Sequence, residues 1–263
     1  IYKQVMLYTT LNRTGYALLT RVLIALSLGL SLWIQPATGV EAAADNITMT
    51  TTTSVILPPT APFQVTPTPF RAVYEADYKG LPIRATGIRE LKQTGDNQFT
   101  LSSTATSFFA SVSEESNFTL TPENRLMPVE YQYHRKGIGK NRDASLRFDW
   151  PAQQVFSDAQ PTPWALSIPM GTLDKLSYQL QMRYELLTAY QRGQPWPPLA
   201  YQVADGGELK TYRFEVLGEE NVDTPIGRFT ALKIARVRTD SDRTTIFWLA
   251  PAYDFLLVRF SRK

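Results

Sequence analysis

The side chains able to do chemistry are few and scattered in this chain. His134 is the only histidine, and cysteine is absent. One imidazole joined by carboxylates is a poor zinc set, because zinc sites draw on several histidines or thiolates. A serine, histidine and aspartate triad would have to use His134. The Gly-x-Ser-x-Gly elbow that presents such a serine does not occur in the sequence. His134 closes the alternating run Val129–His134 and reads as a solvated strand end.

Two pairs of neighbouring carboxylates, Glu114-Glu115 and Glu219-Glu220, lie in strand-like surroundings. Strand neighbours point to opposite faces, so neither pair makes a facing dyad by itself. A glycosidase needs two carboxylates roughly 5–10 Å apart across a sugar. Glu115 with Asp149 or Glu220 is the pairing this sequence offers. Exposed carboxylates are the ordinary case, and no catalytic residue, metal ligand or cofactor is assigned.

Arg135, Lys136, Lys140 and Arg142 cluster around Gly137 and Gly139. Glycine amides beside cations can hold an anion. No Gly-Lys-Ser/Thr loop opens a helix there, which excludes a nucleotide P-loop. The cluster reads as a charged hairpin tip, with contact to anionic headgroups or acidic polysaccharide as the functional alternative. Trp164 and Trp196 sit among prolines (PTPW and QPWPP) on either side of a helical stretch. Aromatics so placed either lid a core or line a ligand mouth. With Arg183, Tyr184 and Leu187 they are the candidate ligand-binding residues.

The element that must position these groups is Gly171–Gly193, a helix expected near 172–190. Leu173, Leu176, Leu180, Tyr184 and Leu187 recur about one turn apart, as in an amphipathic stripe. Lys175, Gln179, Arg183 and Glu185 are assigned to the other faces. Thr172 suits the start, Asp174 the positive end of the dipole and Gly193 the stop. The alternation of Tyr178, Leu180, Met182 and Tyr184 allows a strand, but length and end signals favour the helix. On both sides, alternating runs and turn residues recur about every ten positions, the spacing of an antiparallel meander. Such runs number about ten. A sheet that large curls to protect its edges. The expected fold is mainly β, a curved antiparallel half-barrel or barrel-like sheet of about ten strands wrapped around one central amphipathic helix.

The chain has 263 residues, 43% hydrophobic and 12% aromatic, enough for a real core. Arg21 precedes the apolar run Val22–Ile34, which Pro36 and Gly39 break before Ala42-Ala43-Ala44. That order is a secretory signal, and the run is shorter than the roughly 20 residues of a membrane span. Cleavage is expected after Ala44, with export to the periplasm and no stable transmembrane anchor afterwards. Without cysteine, no lipid can be attached at an N-terminal thiol. Residues 1–44 are thus an extension and signal, 45–69 a Thr/Pro-rich disordered linker, and 70–263 one β-rich domain. Removing Lys3, Arg13, Arg21 and Glu41 leaves 24 basic and 23 acidic residues, a net charge of +1. That is no electrostatic footprint for nucleic acid.

Several phrases together carry a family resemblance: YEADYKGLPIRATGIREL (74–91), SVSEESNF (111–118), PVEYQYHRKGIGKNRDASLRFDW (128–150), GTLDKLSYQLQMRYEL (171–186), YQVADGGELKTYRFEVLGEE (201–220), TPIGRFTALKIAR (224–236) and FWLAPAYDFLLVRF (247–260). The chain resembles the bacterial exported family catalogued as domain of unknown function 3108 (DUF3108) across nearly all of 70–263. The resemblance implies a periplasmic, mostly β protein of a Gram-negative bacterium, with a C-terminus beyond Lys263. It supplies no catalytic residues.

The expected function is that of a non-enzymatic envelope protein binding an apolar or amphipathic, lipid-like ligand or an envelope partner. The alternatives are an assembly module without a small ligand, and a cell-wall or polysaccharide hydrolase. A void beside Tyr184 and Leu187 favours the carrier, and a filled interior favours the assembly module.

Overall fold

The structure is a computed structural model that describes residues 4–11, 67–78, 84–122, 125–137, 141–158, 163–238 and 244–262. The expected signal, its cleavage point after Ala44, Lys140 and most of the linker lie outside the described residues.

Two sheets flank one helix in the chain. The first holds Gln4–Leu11 (β1), Phe70–Tyr78 (β2), Arg84–Gly95 (β3), Gln98–Ser107 (β4), Ala110–Leu120 (β5), Leu126–Gly137 (β6), Arg142–Asp149 (β7), Gln154–Ser157 (β8) and Trp164–Ser167 (β9). These nine strands are hydrogen-bonded in chain order, β1 to β2 in parallel and all later pairs antiparallel. This sheet curls into a half-barrel. Ser177–Gln191 is the helix, α1. Leu199–Asp205 (β10), Glu208–Thr224 (β11), Gly227–Val237 (β12), Thr245–Ala250 (β13) and Leu256–Arg262 (β14) form the second sheet, antiparallel and again in chain order.

Among the described residues the fold is therefore mainly β with one α-helix, but the strands number nine and five instead of about ten in one sheet. The additions are β1, β8, β9 and β10. β8 and β9 have four residues each, too few to show a period, and prolines surround them.

Strand alternation builds the core. In β4, Phe99, Leu101, Ser103 and Ala105 face inward while Thr100, Ser102 and Thr104 do not. In β6 the inward parity flips at Val129, so that Pro128 and Tyr131 are both buried. The cause is a register shift opposite Asn117/Phe118, and such a bulge is one of the few strand sites that tolerate proline. Pro128 offers its free carbonyl to Trp150, whose Nε1 donates at 2.8 Å. Gly206 and Gly207, at φ 68° and 86°, make the two-residue turn between β10 and β11.

The helix is not roofed on one stripe; it is enclosed. Leu173, Leu176, Leu180, Tyr184 and Leu187 are buried as the stripe demands. Ser177, Gln179, Gln181 and Arg183, on the other faces, are buried as well. Tyr178 stacks on Phe214 at 5.6 Å and meets Tyr212 edge-on at 5.3 Å, both from β11. On the other side, Arg183 lies over the Phe70 ring of β2 at 4.5 Å. Ser177, Gln179, Gln181 and Arg183 each make at least one hydrogen bond inside the fold, which offsets part of the cost of burying them.

The helix also starts later than expected. Leu173 makes a parallel bridge to Val203, its amide bonding to Gln202 O and its carbonyl to Ala204 N, both at 2.9 Å. That extended segment delays the first turn to Ser177. The capping acceptor is Asp174, not Thr172: Oδ1 takes the amides of Leu176 at 2.7 Å and Ser177 at 2.8 Å. Thr172 Oγ1 instead donates to Pro169 O at 2.8 Å. Gly193, at φ 61°, ends the helix as a left-handed stop. Among the described residues, no helix is long and apolar enough to cross a membrane.

Candidate functional site

The lead-in to α1 anchors a buried polar network. Ser116 of β5 donates to Asp174 Oδ2 at 2.6 Å. Two residues along, Glu114 faces the same interior and accepts the Tyr131 hydroxyl at 2.8 Å. Burial pushes the Glu114 carboxyl up to about 7, although Tyr131, Lys175 and Arg89 pull it down. Burial likewise raises Asp174, against the hydrogen bonds from Ser116 and the helix amides. Lys175 Nζ sits 2.7 Å from Asp205 Oδ1 of β10. The Tyr212 hydroxyl donates to Asp205 Oδ2 at 2.9 Å, and Lys210 stands 3.5 Å away. Burial disfavours the Asp205 charge, but the two lysines outweigh it and hold the carboxyl down at about 2.

Further along the helix, Glu185 accepts the Tyr201 hydroxyl and Gln181 Nε2, each at 2.7 Å. Arg183 donates from Nε to Asp254 O at 2.6 Å and from Nη2 to Tyr253 O at 3.4 Å. Those carbonyls belong to the turn between β13 and β14. Asp254 and Phe255 there take left-handed φ values of 53° and 58°.

One cavity lies where the two sheets face each other across α1. It is lined by Arg89 of β3, Gln179, Leu180 and Arg183 of α1, and Phe255 and Leu256 beside the strained turn, among others. Its volume is about 30 Å³. That is room for one or two water molecules and far short of the roughly 300 Å³ of a typical ligand pocket.

The expected ligand residues do not converge on it. Arg183 lines the cavity; Tyr184 and Leu187 are buried, and neither borders it. Trp196 is half-buried and meets Phe255 edge-on at 5.9 Å. Trp164, in β9, packs near Gly207 at the far turn. The two tryptophans cover the core at separate places.

The hydrolase pairing also comes apart. Glu115 is exposed on β5, and Asp149 of β7, two strands away, accepts the Ala152 amide at 3.0 Å. Within Glu114-Glu115 it is Glu114 that turns inward. The signal was legible: Glu114 shares parity with Val112 and Phe118. Arg89 shares parity with Ala85 and Leu91 in the same way.

The basic tip forms at one end of the first sheet. Arg135 pairs with Arg142 across β6 and β7, and Lys136 pairs with Ser111. Lys136 and Arg142 are exposed, Arg135 half-buried. His134 is exposed beside them, its Nδ1 2.7 Å from Asp143 Oδ1. The β4–β5 turn packs on this tip, where a Cβ built on Gly137 would stand 2.2 Å from Phe109 O. Its outermost residue, Phe108, is 101% exposed. Nothing in the sequence pattern singled that aromatic out.

Over residues 73–263 the sequence matches the family described as "Protein of unknown function (DUF3108)". The chain belongs to this family. No curated protein and no solved structure matches the DUF3108 chain.

Proposed function

We propose that this DUF3108 protein is an exported, non-enzymatic component of the bacterial envelope that acts through its outer surface. The observation that carries this is the enclosed helix. α1 occupies the space a carrier would leave for its ligand, and the described cavity, at about 30 Å³, has no room for a lipid-like guest. An envelope partner is thus favoured over an internal lipid.

The contact face in this proposal is the tip holding Phe108, Arg135, Lys136 and Arg142. A fully exposed phenylalanine beside a cluster of cations fits an anionic lipid surface. Each cation near such a surface contributes about 1 kcal/mol, and the aromatic enters the interface.

Cosedimentation with vesicles tests this. Binding to phosphatidylglycerol vesicles, absent with phosphatidylcholine and weakened at least fivefold by Phe108→Ser or by Lys136→Glu with Arg142→Glu, is the expected result. Equal sedimentation of these variants removes the tip from the proposal. Native mass spectrometry of protein gently extracted from envelopes addresses the interior. An apo mass is expected, and a stoichiometric co-purified lipid would return the function to a carrier.

A further inference from the structure

We propose that the cavity between Arg89 and Arg183 is a binding site for a small monoanion such as chloride or formate, held inside the fold by the two guanidinium groups.

Both arginines are more than nine-tenths buried and both line the same cavity. Neither has a carboxylate within ion-pair distance among the described residues. Arg183 uses Nε and Nη2 on the turn carbonyls, and its Nη1 is buried without a hydrogen-bond partner. The Tyr74 hydroxyl of β2, coupled electrostatically to both arginines, is a second buried group without a partner. Buried guanidinium groups lacking an anion are strongly disfavoured. Here burial lowers the pKa of each, and their mutual repulsion adds to it for Arg89.

The groups facing Arg89 do not supply the missing charge. Tyr74 from β2 and Tyr178 from α1 are phenols that burial keeps neutral by raising their pKa, and burial raises Glu114 from β5 to about 7. Arg183 faces Tyr184, Asp254 and Tyr74; the Asp254 carboxylate offsets part of its charge without forming an ion pair with it, and the Asp254 carbonyl accepts from Nε. One anion placed between the arginines neutralises the excess and gives Nη1 an acceptor. Gln179 also lines the space, its Oε1 buried without a hydrogen-bond partner, and the rest of the wall is mainly apolar, with Leu101, Leu180 and Leu256. At about 30 Å³ the space is of a size for one small ion.

The wall nearest Arg183 is the turn with two consecutive left-handed non-glycine residues. Such conformations cluster where surrounding structure holds a site in place. This inference goes beyond the envelope role and stands or falls separately from it.

The test is thermal unfolding of the purified chain in sodium chloride and in sodium gluconate at equal ionic strength. Chloride is expected to raise Tm with the logarithm of its concentration above Kd, by about 5 °C at a hundredfold excess, while gluconate does not. Arg89→Gln is expected to abolish the difference. In bromide-soaked wild-type crystals, an anomalous peak is expected between Arg89 and Arg183. Identical melting in both salts, a chloride response that persists in Arg89→Gln, or bromide-soaked crystals with water alone in the cavity would each overturn the proposal. The bromide measurement decides the matter even if Arg89→Gln does not fold.

Discussion

Lys175 Nζ lies 2.7 Å from Asp205 Oδ1, and neither side chain exceeds 8% exposure. The pair ties the start of α1 to β10, beside the Leu173–Val203 bridge. It therefore locks the helix to the second sheet, while the Ser116–Asp174 bond locks the adjacent residue to the first. Two neighbouring residues thus couple both sheets through one turn of chain.

Breaking the pair leaves a buried carboxylate with Tyr212 and the more distant Lys210. Lys175→Met is expected to cost about 3–5 kcal/mol in urea denaturation. Asp205 is depressed in the folded state to about 2, from an ordinary value of 3.8. Its contribution, about 2 kcal/mol, is present above pH 4 and is lost as pH falls through 2. In Lys175→Met that acid loss should shrink.

Glu114 works in the opposite sense. Its folded-state value of about 7 lies above the ordinary 4.5. Below pH 4 the group is neutral in both states and costs nothing. As pH rises past 5 the unfolded chain ionises first, so stability falls, and the full penalty of about 3 kcal/mol is reached above 7. Glu114→Gln keeps an acceptor for Tyr131. It is expected to stabilise the protein more at pH 8 than at pH 5, measured by chemical denaturation at both. A pH-independent effect would contradict the buried carboxyl.

Gln181 discriminates an enclosed helix from a roofed one. On a solvated face, Gln181→Lys would be nearly silent. Here the side chain is fully buried and bonded to Glu185, so the new ammonium enters the core. A loss of at least about 2 kcal/mol is expected, comparable to Leu180→Ala. Denaturation of the two variants side by side checks it.

Gly137 holds φ 103° with Phe109 O against the place of its missing Cβ. Gly137→Ala must move the β4–β5 turn or the end of β6. A cost of about 1–3 kcal/mol is expected, with faster amide exchange at Ala110 and weaker vesicle binding through displaced Phe108.

The strands with five or more alternating positions were legible in the sequence, as was the single helix between two β blocks. The enclosure of that helix was not. Gln179, Gln181 and Arg183 look like a wet face, and the bonds of the first two, to Lys175 O and Glu185 only four positions away, say nothing of burial. The Asp254 carbonyl that accepts from Arg183 is 71 positions away, beyond any local period. The inward carboxylate and the inward arginine were recoverable by parity, since Glu114 follows Val112 and Arg89 precedes Leu91 by two. The small size of the cavity was not recoverable, because it depends on how side chains from six elements interlock.

The position of α1 in the chain also sets an order of assembly. The half-barrel is synthesised first, and its concave side stays uncovered until residues 177–191 arrive. β10 to β14 follow in the chain and close over the seated helix. A chain halted before Gln191 therefore presents a naked apolar trough, the kind of intermediate that chaperones shield, and the last five strands are the clasp that closes over it.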